Sequence, residues 1–307
     1  MNLIYLKGYY SMVIQRRNKV FRKTIIPSLM LLFGIISFSL IANEPAQAGI
    51  VGGVGPSDPC LGIYKAAIRN PTVRTSYVFI DMVTSRTCEL RAHESVASAS
   101  LYKTLLMIET HRLVQVEELS YFDELVIMPW HGEFTPPEHR YSKPTIMPIG
   151  QALNNAIVWS ANPEAEALHE YLGVQEVNQT AWNLGLLGTV AGPRYYQTTA
   201  FDQANILKNL YKGELISEEA SSSMLSLLLS QNVEGYMLAG LPDGLEVAHK
   251  TGLIVEYAND AGLVYGPRGP FILVILTRRD DSDWRTFADA QKVMTDVAGA
   301  AYAIHGQ

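Results

Sequence analysis

The chain has 307 residues, 24 Lys and Arg against 30 Asp and Glu, and a formal net charge of −6. That mild acidity offers nothing to nucleic acid, and 48% apolar residues is ordinary for a globular protein. The seven histidines are scattered and only two cysteines occur, so no zinc-type spacing exists and no metal or other cofactor is expected.

Residues 1–48 read as a targeting segment. Arg16, Arg17, Lys19, Arg22 and Lys23 form a basic block, and an apolar run over 24–42 follows. Ala46-Gln47-Ala48-Gly49 then supplies a small-x-small cleavage pattern. The run suits a cleaved signal peptide or an uncleaved membrane anchor. Either way the remainder is exported, to the periplasm or the extracellular space, and touches a membrane only through this segment. Residues 49–307 suffice for one large domain or two intimately packed ones.

Residues 49–56 are Gly-rich and read as a linker. Leu61, Tyr64 and Ile68 have helical spacing over 60–69, closed by Asn70-Pro71. Alternation around Tyr77, Phe79, Asp81 and Val83 predicts a strand over 76–83. Ser85-Arg86-Thr87 turns the chain, and 88–93 pairs back as a hairpin. Leu101, Leu105, Met107 and Ile108 spread around a helix over 100–112, which is therefore buried on most sides. Residues 121–141 are irregular and rich in Pro and aromatics. Helices follow over 150–159, 163–171, 198–211 and 217–229, with a glycine-punctuated loop over 185–197. Three strands over 245–255, 261–265 and 271–277 precede a closing amphipathic helix over 282–303.

Strands thus flank a mostly helical middle. This implies an α/β fold: an antiparallel sheet built from both chain ends (about 57–97 and 245–307), flanked by helices. An all-α part, about 98–244, is inserted between them. In an exported chain Cys60 and Cys88 are expected to form one disulfide. The first helix should run antiparallel to the strand it feeds, which puts its start near the hairpin turn that delivers Cys88.

Three short motifs carry chemistry: Ser100-Leu101-Tyr102-Lys103, Ser160-Ala161-Asn162 and Lys250-Thr251-Gly252. Ser100 sits where a helix begins, with Lys103 one turn later on the same face. A serine hydroxyl needs an adjacent base to act as a nucleophile, and a desolvated lysine loses its proton more readily. Ser160 is placed to relay a proton to a leaving nitrogen. Asn162 is placed to hold a substrate amide or to brace Lys103. Lys250 and Thr251 offer a positive charge and a hydroxyl donor to a carboxylate. Gly252 lets a backbone approach the strand. The backbone N–H of Leu253, with that of Ser100, suits an oxyanion hole. Each motif alone is common; a Ser or Asn between two helices is usually an ordinary cap. His249 reads as structural.

The ordered set resembles class A β-lactamases and the related penicillin-recognising serine D,D-peptidases, across essentially all of 60–305. The resemblance implies an α/β sandwich with an all-α subdomain and the active site at their boundary. It also implies acylation of Ser100, with Tyr102 either lining the pocket rim or packing in the core. Three departures stand out. Ala161 replaces the usual Asp. The loop glutamate that activates the deacylating water has no match in 186–202, where Asp202 is the sole carboxylate, assigned to the next helix. Glu164 and Glu166 lie too close behind Asn162 to inherit that role. The basic residue expected after K-T-G is also missing, with Arg194, Arg278 and Arg279 as candidates.

Three functions follow. The first is a serine hydrolase that opens β-lactams. The second is a D,D-peptidase-like cell-wall enzyme acting on D-Ala-D-Ala-type peptides, with Lys103 as base and slow β-lactam deacylation. The third is a non-hydrolytic β-lactam or cell-wall sensor. A monomer with a small-molecule or peptide substrate is expected.

Overall fold

The first and last parts of the described chain pair with each other in one sheet. This computed structural model describes residues 57–133, 135–192, 196–233, 235–279 and 287–305. The targeting segment, the 49–56 linker and Arg194 lie outside the described residues.

Helix α1 (Leu61–Ile68) leads to β1 (Val73–Asp81) and β2 (Thr87–Leu90). At the other end lie β8 (Glu246–Ile254), β9 (Tyr257–Gly266), β10 (Gly269–Arg279) and α8 (Phe287–Ile304). Together they form one antiparallel sheet in the order β2-β1-β10-β9-β8. Strand β10 is an almost unbroken apolar run, because both of its faces are covered. Ile272, Val274 and Leu276 belong to the core on one face, and Phe271, Leu273 and Ile275 to the core on the other. The second core also takes in Ile63 of α1 and Val293, Met294 and Val297 of α8.

Between β2 and β8 runs the helical part. A short strand β3 (Val96–Ala97) precedes α2 (Tyr102–Gln115), whose residues from Lys103 to His111 are all buried. That all-round burial matches the unstriped spread of its apolar residues. Helices α3 (Ile149–Val158), α4 (Asn162–Leu172), α5 (Val174–Asn183), α6 (Ala200–Lys212) and α7 (Glu218–Leu229) complete this part. It is not purely helical. Strands β4 (Glu124–Ile127) and β5 (Thr145–Pro148) pair, and β6 (Val190–Ala191) and β7 (Tyr196–Thr198) join β3 in a small sheet ordered β3-β7-β6.

Strand β9 starts earlier than the apolar pattern predicts and includes Asn259 and Asp260, both wholly buried. Each is satisfied. Asn259 Nδ2 donates to Ala97 O at 2.9 Å, and Asp260 accepts from Met237 N–H at 3.2 Å and meets His249 Nδ1 at 3.0 Å. Paired in this way, polar side chains are tolerated inside a strand. His249 is thereby a structural residue.

Cys60 and Cys88 are joined by a disulfide, with Cα atoms 5.5 Å apart and a separation of 28 residues. A closed loop of that length stabilises a fold by about 3 kcal/mol. Replacing both cysteines by alanine should therefore lower the urea-unfolding free energy by about that amount. An unchanged unfolding midpoint, or two titratable thiols in the unreduced protein, would refute the cross-link.

Candidate active site

Ser100 lies in a single 3-10 turn, Ala99–Leu101, immediately before α2. The turn depends on Ala99, which adopts a left-handed φ of 46°. That conformation costs a non-glycine residue on the order of 1 kcal/mol and persists only where neighbours enforce it. Here Leu101 N–H donates to Ser98 O at 3.1 Å, and Asn259 Nδ2 reaches Ser98 O at 3.3 Å as well as Ala97 O. Gly252 faces the same turn. A Cβ there would lie 2.7 Å from Ser98 O and 3.2 Å from Leu101 N. The glycine of K-T-G thus makes room for the protein's own backbone, where the sequence suggested a ligand's.

Ser160 follows α3 and is also left-handed, with φ 55°. Its carbonyl accepts from Lys103 Nζ at 2.6 Å, and Asn162 Oδ1, at the start of α4, accepts from the same amine at 2.7 Å. Ser160 Oγ lies 3.4 Å from Lys103 Nζ and 3.0 Å from Lys250 Nζ. Lys250 Nζ also donates to Thr251 O at 3.2 Å. All three motifs therefore converge on one serine hydroxyl. Ser100 is half-buried, but Lys103 Nζ is not hydrogen-bonded to it; its three partners are Ser160 O, Ser160 Oγ and Asn162 Oδ1. Leu253, on the edge strand just after Gly252, is exposed.

Both lysines are buried, at 0% and 1% exposure for Lys103 and Lys250. Burial, reinforced by the nearby charge of Lys250, pushes the Lys103 amine well below the usual lysine range, against an opposing pull from Glu166 and Glu164. Burial lowers Lys250 to about 7, with Asp260 opposing. A lowered pKa favours the neutral amine, which is the form that accepts a proton.

Tyr102 is half-buried and stacks on Tyr196, with ring centroids 3.8 Å apart. Tyr196 in turn bonds His169 Nδ1 through its hydroxyl at 2.9 Å. The aromatic wall beside α2 was marked in the sequence by Tyr102 alone. The remaining carboxylates nearby are engaged. Asp202, in α6 as expected, accepts from Gly188 N–H at 2.9 Å and Thr189 Oγ1 at 2.8 Å. Glu164 accepts from Tyr141 and Asn155, and Glu166 from Gly132 N–H at 2.7 Å. Of the arginines weighed as anion-binding substitutes, Arg278 is exposed on β10, and Arg279 lies over the Phe287 ring at 5.5 Å. Two residues the motifs did not mark support them: Asn259, which bonds Ser98 O beneath the Ser100 turn, and Gln231, whose Nε2 donates to Thr251 Oγ1 at 3.2 Å. A buried Asn-Asp pair within an apolar strand was the available signal for the first. Gln231 had none.

The depressed Lys250 value makes a signed prediction. Its folded pKa, about 7, lies below the unfolded value, so between about pH 7 and 10 the unfolded chain binds more protons. Stability from this group is thus present at high pH and lost as pH falls through about 7. Compared with Lys250→Met by urea denaturation, the wild type should gain up to about 1.4 kcal/mol per pH unit across that window. A difference independent of pH would show that Lys250 titrates normally.

Comparison with known proteins bears on the fold and the family. The family described as the beta-lactamase enzyme family matches residues 63–304. No curated protein matches the chain in sequence. Among solved structures, PBP-A is similar at 19% identity and a TM-score of 0.73, the match covering 81% of this chain and 96% of that one. A mutant of PBP-A, solved as an acyl-enzyme complex with penicillin G, is similar at 22% identity, TM-score 0.73 and the same coverage. A beta-lactamase from Sphaerobacter thermophilus is similar at 19% identity and TM-score 0.69, covering 78% of this chain and 95% of that one. These likenesses establish the fold, and with the family match over most of its length the chain belongs to the beta-lactamase enzyme family.

Proposed function

We propose that this family member is an active-site-serine hydrolase that forms an acyl-enzyme at Ser100 with β-lactams or related D-Ala-D-Ala-type peptides. One observation carries the reading: Lys103, buried beside Ser160 and Asn162, is drawn into the same hydrogen-bonded cluster as Lys250. In this account neutral Lys103 turns one of its hydrogen bonds loose and takes the Ser100 proton as Oγ bonds to the substrate carbonyl carbon. The N–H groups of Ser100 and Leu253 hold the resulting oxyanion. The C–N bond then breaks. Ser160 gives its proton to the leaving nitrogen and recovers one from protonated Lys103. Lys250 and Thr251 hold the substrate carboxylate, Asn162 its side-chain amide, and Tyr102 forms a wall of the cleft.

Hydrolysis of the ester needs a water held and deprotonated near its carbonyl. Asp202 accepts from Gly188 and Thr189, Glu164 from Tyr141 and Asn155, and Glu166 from Gly132, and none of these bonds is to Ser100 or Lys103. This favours the peptidase-like variant of the reading, with slow β-lactam deacylation. The leader over 1–48 supports an exported site of action.

Intact-mass spectrometry after mixing with penicillin G tests this. The wild type should gain a drug adduct that persists, and Ser100→Ala should gain none. Lys103→Ala should acylate about 10²-fold more slowly or worse. A label mapped to Ser98 or Ser160, or an acylation rate unaffected by Lys103→Ala, would overturn the assignment. An adduct that vanishes while drug is consumed would overturn the slow-deacylation variant.

A further inference from the structure

The segment after α7 forms a bridge across the site. Asn232 N–H donates to Val158 O at 2.9 Å, two residues before Ser160, while its neighbour Gln231 reaches Thr251 on β8. Gln231 Nε2 donates to Thr251 Oγ1 at 3.2 Å, and its own Oε1 is buried without a hydrogen-bond partner. Nε2 is thus the amide atom that engages the strand.

The direction of the bond has a chemical consequence. A hydroxyl that accepts from a fixed amide keeps its own proton free to donate. Thr251 is only 3% exposed, so the orientation of its single proton decides what that corner recognises. No carboxylate competes for the proton from across the strand pair. Asp260, opposite Thr251 in register, is held by His249 and Met237 N–H. Lys250 Nζ lies against Thr251 O on the same strand. The Lys250 amine thus meets the backbone of Thr251, while Gln231 holds its hydroxyl.

We propose that Gln231 is the positioning residue of the anion subsite: its amide holds Thr251 with the hydroxyl proton turned to the carboxylate of the substrate. This rests on the reading above for the substrate class, but it concerns binding and does not require acylation. An amide does here, without charge, what an additional cation would do by attraction. Selectivity for an anion therefore depends on the polarity of residue 231. Glutamate at that position would accept the threonine proton and add a negative charge. Methionine would leave the hydroxyl unoriented.

The test uses Ser100→Ala protein, which cannot be acylated, and measures equilibrium binding of penicillin G and of its methyl ester by calorimetry. Adding Gln231→Glu should weaken penicillin G binding about tenfold or more, and Gln231→Met by a smaller factor. Ester binding should change less than about threefold in both, which a general loss of packing would not allow. Equal losses for acid and ester, no loss in either variant, or no binding of penicillin G by the Ser100→Ala protein, would overturn the proposal. Absence of any wild-type adduct, with this binding pattern intact, would instead overturn only the acylation reading.

Discussion

Two buried amines share one serine hydroxyl. Lys103 and Lys250 lie 3.4 and 3.0 Å from Ser160 Oγ, and neither is open to solvent. Two ammonium groups so close, away from water, repel one another, and burial alone disfavours each charge. The arrangement is tenable because burial and the Lys250 charge favour loss of the Lys103 proton, and Ser160 O and Asn162 Oδ1 accept from the amine. Opposing charge from Glu164 and Glu166 limits the depression without abolishing it.

The local backbone follows from the same requirement. Ser160 can present carbonyl and hydroxyl together to the lysines because its φ is left-handed, and Ala99 is left-handed so that Ser100 can turn off β3 into α2. Both are strained positions for side-chain-bearing residues, and strain of this kind collects where geometry serves chemistry. The turn is then clamped from the sheet by Asn259 and by the bare Cα of Gly252. Stability is given up at the lysines and the two strained residues, and regained in the doubly covered sheet and the all-round core of α2.

The motifs were legible as an ordered set of residue types, a serine with a lysine one turn on, Ser-Ala-Asn and Lys-Thr-Gly, and the structure brings the three together. The sheet ends were legible too, since β1 and β10 are long enough for their apolar pattern to speak. Other features were not. Nothing in Ala99 or Ser160 as residue types marks a positive φ, which glycine or asparagine would have signalled. Strands β3, β6 and β7 are two or three residues long, too short for any period. The early start of β9 was hidden by Asn259 and Asp260, whose burial is justified only by partners far away in sequence. Gln231 bonds a threonine 20 residues away in sequence, a contact that no local pattern marks.

The central claim is that burial beside Lys250 holds the Lys103 amine well below the ordinary lysine range. NMR of protein carrying ¹³C at the lysine ε-carbons measures this directly, with Lys103 and Lys250 assigned from single Lys→Met variants. The account predicts that the Lys103 signal titrates well below the ordinary lysine range, and that it moves upward when Lys250 is replaced, because a neighbouring positive charge is gone. A Lys103 signal titrating near the ordinary value of about 10.4, unaffected by Lys250→Met, would contradict it.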